Sequence, residues 1–141
     1  MTYTKLKKQH SEELNSFPMF FAFSTEQFNE GMEKLGLLPT DKDKIYRFGG
    51  TGGYYRKTDN EQLRAMFDRH AEEMQSAINS DTTGEGFILD MFSYELNNHE
   101  YGYTWDDEST LDALGITQEM LENNLALKHG LALAKKKIRE N

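Results

Sequence analysis

Cysteine is absent from the 141-residue sequence. That excludes a disulfide framework, a thiolate nucleophile and any cysteine-ligated zinc centre, and it is compatible with a reducing compartment. Long hydrophobic runs are missing too. The densest apolar cluster, residues 19–23, is far too short to span a bilayer, and the N-terminus is polar rather than that of a signal peptide. The expectation is a cytoplasmic protein with no membrane partner. Basic residues are scarce through the middle of the chain. Residues 59–123 hold 16 Asp and Glu against only Arg64 and Arg69, while residues 1–58 balance at +2 and residues 124–141 at +4, for a net −8. Phosphate recognition needs clustered Lys and Arg, so no nucleic-acid partner is expected. Such an acidic block either attracts a basic protein surface or forms a solvated face that keeps the chain soluble.

Hydrophobic residues make up 37% and aromatics 12%, enough Phe, Tyr and Leu for a packed core. The length fits one domain, residues 1–141, with no internal repeat and no low-complexity tract. Leu6, His10 and Leu14 recur at steps of four before Pro18, which predicts a short amphipathic helix over residues 4–15. The aromatic run at residues 19–23 reads as a buried strand. Ser24 then opens a capping box with Gln27, followed by Phe28, Met32 and Leu35 on one helical face and a stop at Gly36.

Further on, Leu63, Phe67, His70, Met74 and Ile78 predict a helix over residues 60–79, broken by Asp81 to Gly84. Phe87, Ile88, Met91, Phe92, Glu95, Leu96 and His99 predict a second, packed antiparallel to the first. Tyr101, Tyr103 and Trp105 alternate with Gly102 and Thr104, the pattern of an extended or looped aromatic segment. Short helices over residues 107–114 and 118–123 lead to a final helix whose basic end, Lys135 to Arg139, suits the negative pole of the helix dipole.

The five-residue GGTGG centre at residues 49–53 is the first feature to look like a site. A Walker loop needs Lys and Ser or Thr after its last glycine and then a helix, and the dinucleotide pattern also opens a helix. Here Gly53 is followed by Tyr54 and Tyr55, so the stretch reads as the tip of a hairpin, with Arg47, Arg56 and Lys57 near enough to suit an anion. The fold class is therefore α+β: a small three-stranded antiparallel sheet from residues 19–23, 44–48 and 54–57, covered by helices that dominate the second half. The runs FPMFFAFSTEQFNEGMEKLGL, GGTGGYYRKTD, MFDRHAEEM and FSYELNNHEYGYT resemble a family of small uncharacterised bacterial and mobile-element proteins described only as a domain of unknown function. The resemblance extends over nearly the whole chain. It implies an accessory or phage-related role and brings no catalytic residue or substrate with it.

Three constellations invite chemistry. His70 and Glu95 are equidistant from the turn near residues 82–83, with Glu73 three residues from His70 and His99 four from Glu95. His and carboxylates from two helices are how bundle metal sites are built, although a di-metal site needs about six ligands from four helices. A hydrogen-bonded His70–Glu95 pair is the commoner arrangement. Residues 114–125 have the spacing of a helix-turn-helix, but Glu119 and Glu122 stand where a recognition helix needs groups that tolerate phosphate. An ordinary turn is expected, with Gly115 stopping one helix and Thr117 capping the next. Tyr101, Tyr103 and Trp105 beside Asp106, Asp107 and Glu108 form either a recognition patch for a basic protein or aromatics packed onto the sheet. The functional expectation is a non-enzymatic binding or regulatory protein that acts on a protein partner, without a cofactor. The alternative is a small metal-dependent enzyme centred on His70, Glu73, Glu95 and His99.

Overall fold

The structure, a computed structural model, describes residues 1–140. The fold is α+β, with a three-stranded antiparallel sheet in the first half and helices through the second. The chain divides into two compact units, residues 10–71 and residues 1–9 together with 72–141.

In the unit of residues 10–71, β1 (Phe20–Phe21), β2 (Ile45–Phe48) and β3 (Gly53–Arg56) form a sheet in the order β1-β3-β2. The register sets Phe20 opposite Tyr54, and Ile45 and Phe48 opposite Arg56 and Gly53. Side chains alternate across a strand, and each face has its own cover. Phe20, Tyr54 and Ile45 pack against Met32, Leu35 and Phe28, residues on or beside α2 (Thr25–Lys34). Tyr55, Phe48 and Met19 pack instead against Leu63 and Met66 of α3 (Asn60–Ser80), with Leu14 of α1 (Tyr3–Asn15) and Phe17.

The Ser24 hydroxyl caps α2 by accepting from the Gln27 amide, while Gln27 reaches back to the Phe23 amide at 2.8 Å. Gly31 lets α2 come close, since a Cβ there would sit 2.1 Å from the Phe20 ring. Residues 49–52 close the β2–β3 hairpin as the sequence pattern predicts. The Thr51 hydroxyl donates to the Phe48 carbonyl and accepts from the Gly53 amide.

In the unit of residues 1–9 and 72–141, α4 (Phe87–Asn98) lies at the centre. Its Ile88, Met91, Phe92 and Leu96 have no solvent exposure, and they share one core with Leu127, Leu131 and Ala134 of α8 (Leu125–Arg139). Tyr3 and Leu6 of α1 complete that core with Leu111, Ile116 and Leu121, from α6 (Glu108–Leu114), α7 (Gln118–Asn123) and the turn between them. That turn is the ordinary capped one: Gly115 ends α6 in the left-handed conformation and the Thr117 hydroxyl accepts from the Met120 amide. The alternating aromatic segment departs from expectation. It is not extended but forms a single helical turn, α5 (Tyr101–Thr104), because Glu100 and Trp105 on either side are both left-handed, at φ 59° and 57°.

The link from α3 to α4 is organised by one carboxylate. Asp81 Oδ1 accepts from the Gly84 and Thr83 amides and the Thr83 hydroxyl, and Oδ2 accepts from the Gly86 and Ile88 amides. It caps α4 from outside the helix, where amides lack intrahelical partners. Burial pushes the Asp81 carboxyl up, but this set of donors outweighs burial and holds it below its ordinary value. Gly84 is buried at φ +83°, and a Cβ there would lie 2.0 Å from the Ala126 carbonyl oxygen, while a Cβ on Gly130 would lie 2.6 Å from the Gly84 oxygen.

Asp81→Ala therefore strands several amides and is expected to cost on the order of 2–3 kcal/mol, with Asp81→Asn costing less because it keeps one acceptor oxygen. Gly84→Ala meets backbone on one side and a left-handed φ on the other, so its cost should exceed the roughly 1–3 kcal/mol of ordinary overpacking. Chemical denaturation of the three variants checks this ranking, and an Asp81→Ala variant as stable as the parent would refute the capping role.

Candidate functional site

The aromatic and acidic residues singled out from the sequence lie in and after α5. Tyr101 is buried at 1% exposure, and so is not a surface group: its ring meets Trp105 edge-on at 5.9 Å, and its hydroxyl accepts from Arg139 at 3.0 Å. Tyr103 is 89% exposed and Trp105 56%. The Trp105 ring has the Arg139 guanidinium over it at 5.4 Å, a cation–π contact, and Lys135 stands 5.7 Å from the Tyr101 ring. Lys135 also donates to Asp107 at 2.6 Å. Asp106 accepts from the Glu108 amide at 2.9 Å, which starts α6, and the Thr104 hydroxyl accepts from the Asp106 amide.

The arrangement separates the six expected residues by role. Tyr101 and Asp107 support the turn; Tyr103, Trp105, Asp106 and Glu108 face solvent. Lys135 and Arg139, which complete the cluster, were legible only as a basic helix end. A bulky residue at φ 57° costs about 1–2 kcal/mol relative to glycine, so the turn holds Trp105 outward against its own backbone preference.

Glu95 occupies a second cluster. It is 3% exposed, and its Oε1 accepts from the Tyr3 hydroxyl at 2.8 Å and from Lys7 at 2.6 Å. His99 Nε2 approaches the other oxygen at 3.5 Å. Burial pushes the Glu95 carboxyl up, but the hydrogen bonds from Lys7 and Tyr3 and the nearby Lys7 and His99 charges prevail and hold it below its ordinary range. The Tyr3 hydroxyl is raised, first by its own burial and then by its bond to Glu95. A charged carboxylate with a cation, a phenol and an imidazole around it is a satisfied ionic core.

His70 has a different carboxylate. Its Nε2 lies 2.7 Å from Glu13 Oε1, its ring stacks on His10 at 3.8 Å, and Arg69 bridges to the other Glu13 oxygen. Arg69 and His70 together hold the exposed Glu13 carboxyl down at about 2. The expected His70–Glu95 pair is thus replaced by His70–Glu13 and Glu95–Tyr3–Lys7. Both true partners come from α1, 57 and 92 residues away in sequence. Glu73 lies half-buried on α3 and belongs, with Glu95 and His99, to the unit of residues 1–9 and 72–141, whereas His70 belongs to the unit of residues 10–71. Among the described residues no three His, Asp or Glu side chains stand close enough together to hold a metal ion.

The three lowered carboxyls, Glu95, Glu13 and Asp81, give one pH prediction. Each has a folded pKa below its unfolded one, so its contribution is complete above the unfolded value, 4.5 for the two Glu and 3.8 for Asp81, and is lost as pH falls toward the folded value. The melting temperature should drop steadily from about pH 5 to pH 3. Glu95→Gln should start lower at neutral pH and fall less steeply, and a flat parent profile over that range would contradict the assignment.

No curated protein sequence and no solved structure matches the chain. The sequence profile of DUF7659, described as a family of unknown function, matches residues 2–137. That span includes the sheet, α5 with its flanking acids, Glu95 with its α1 partners, and most of α8. The chain therefore belongs to the DUF7659 family.

Proposed function

We propose that the protein is a non-enzymatic binding protein of the cytoplasm that engages a protein partner with a basic surface through the turn at residues 103–108. The observation that carries this reading is Trp105: a large ring, more than half exposed, held outward from a left-handed backbone position that glycine fills far more cheaply. Strain of this kind persists where the surroundings enforce it and points to use rather than to packing. Arg139 and Lys135 brace the turn from beneath.

Tyr103 and Trp105 are amphipathic rings of the type that anchor interfaces, and Asp106 and Glu108 give them an acidic rim suited to Lys and Arg on the partner. The excess of acid across residues 59–123 would speed encounter with such a partner. An accessory role in a bacterium or mobile element, with the acidic face occupying a basic protein's nucleic-acid site, is the form of the reading that the sequence resemblance favours.

The test separates recognition from folding. Trp105→Gly removes the ring and relieves the backbone, so its melting temperature should stay near that of the parent, and Tyr103→Ala removes a side chain exposed at 89%. Native lysate is passed over parent and double variant, and captured proteins are identified by mass spectrometry at low and high salt. A protein with a basic surface, held by the parent, released by salt within the Debye screening range of about 10 Å at 0.1 M, and lost in the double variant is the expected result. Capture unchanged by the two substitutions, or indifferent to salt, would overturn the reading.

A further inference from the structure

The unit of residues 10–71 carries a second surface feature, independent of α5. The sheet face that α2 covers is left open at one end, where β2, β3, the start of α2 and residues 39–42 enclose a cleft of about 760 Å³. That is within the usual range of small-molecule sites. We propose that it binds a small aromatic anion, a flat ring carrying a carboxylate or a phosphate.

Phe28 of α2 and Tyr54 of β3 meet edge to face at 5.2 Å and 83°, and Phe23 stands at the opening with 80% of its surface exposed. Phe23 is not loosely placed. Its amide is tied to Gln27, and its ring lies against Gly52, where a Cβ would be 2.6 Å from it. A phenyl ring kept in solvent by fixed backbone contacts is a ready stacking surface.

Arg47 and Lys42 line the cleft and every other lining residue is uncharged, in a chain where acids outnumber bases by 24 to 16. Several cations elsewhere are matched: Arg56 with Asp59, Arg69 with Glu13, Lys7 with Glu95 and Lys135 with Asp107. Among the described residues Arg47 and Lys42 form no ion pair, and Lys42 stands 6.0 Å from the Phe28 ring. An unmatched guanidinium beside Tyr54, its cross-strand partner, presents a planar fork that suits a carboxylate or phosphate. Ser24 and Thr25 bring the positive end of α2 to the same cleft. Of the three cations the sequence placed near the glycine-rich turn, Arg56 is held by Asp59 and the Leu35 carbonyl and Lys57 lies over the Tyr46 ring, which leaves Arg47 for a ligand.

The experiment is an amide chemical-shift titration of the full chain with phenyl phosphate, phenylacetate, benzyl alcohol and inorganic phosphate. One or both ring anions should bind with millimolar affinity or better, ordinary for ligands of this size, and shift amides of residues 22–29, 39–47 and 54. Which of the two binds tells phosphate from carboxylate. Benzyl alcohol and inorganic phosphate should bind at least about tenfold more weakly, and Arg47→Gln should weaken the ring anions by about tenfold with no change in melting temperature, since the side chain is exposed and unpaired. Phe23→Ala should weaken them as well. The proposal fails if neither ring anion binds, if benzyl alcohol or phosphate alone binds equally well, if the shifts map elsewhere, or if Arg47→Gln leaves the affinity unchanged. Trp105→Gly should not alter this titration, so its outcome is separate from that of the partner capture.

Discussion

The helical unit depends on one close approach of backbone to backbone, at Gly84. With no Cβ and a left-handed φ, Gly84 sits against the Ala126 carbonyl and the Gly130 amide, near enough that any side chain would collide. That contact seats the 81–86 loop on α8. Held there, Asp81 gathers the amides that begin α4, and α4 in turn buries Ile88, Met91, Phe92 and Leu96 against α8. Glu95, on the same helix, is carried inside with the core, where Tyr3 and Lys7 must meet it. The far end of α8 supplies Arg139 and Lys135 to brace α5. A single pair of glycines thus lies upstream of the core, of the buried carboxylate and of the outward ring of Trp105.

Much of this architecture was legible because local rules suffice for it. Apolar residues at helical spacing located α1, α2, α3 and α4, Ser24 with Gln27 marked the start of α2, and GGTGG between strand formers marked a hairpin. What escaped the sequence depends on partners far apart along the chain. No periodicity encodes that Glu13 meets His70 or that Tyr3 meets Glu95, since loop closure carries no local signature. The alternation of Tyr101, Tyr103 and Trp105 mimics a strand. It is overridden by burial of Tyr101 under Arg139 and by two left-handed residues whose conformation the sequence does not announce. The cleft beside Arg47 was invisible for the same reason: its lining combines residues from three separate stretches of chain.

The acidic excess proves to be several things at once. Asp81 caps a helix, Glu95 is sealed inside and Asp107 is matched to Lys135. These residues are structural, and they account for part of a block that composition alone reads as one solvated face. The acids that remain open around α5, Asp106 and Glu108 among them, are few enough to define a rim. Exposed carboxylates of this kind add little to stability, because water screens them.

The order in which the chain is made bears on how the two units close. Residues 10–71 are continuous in sequence, so their sheet and its covering helices have all their parts once that stretch has emerged. The other unit is split. Tyr3 and Leu6 belong to a core whose remaining members include Leu131 and Ala134, and Lys7 awaits a carboxylate 88 residues downstream. During synthesis, at about 5–20 residues per second, the first turns of α1 are therefore out long before anything exists for them to bury against. They are made before every other part of their unit and are among the last to be enclosed.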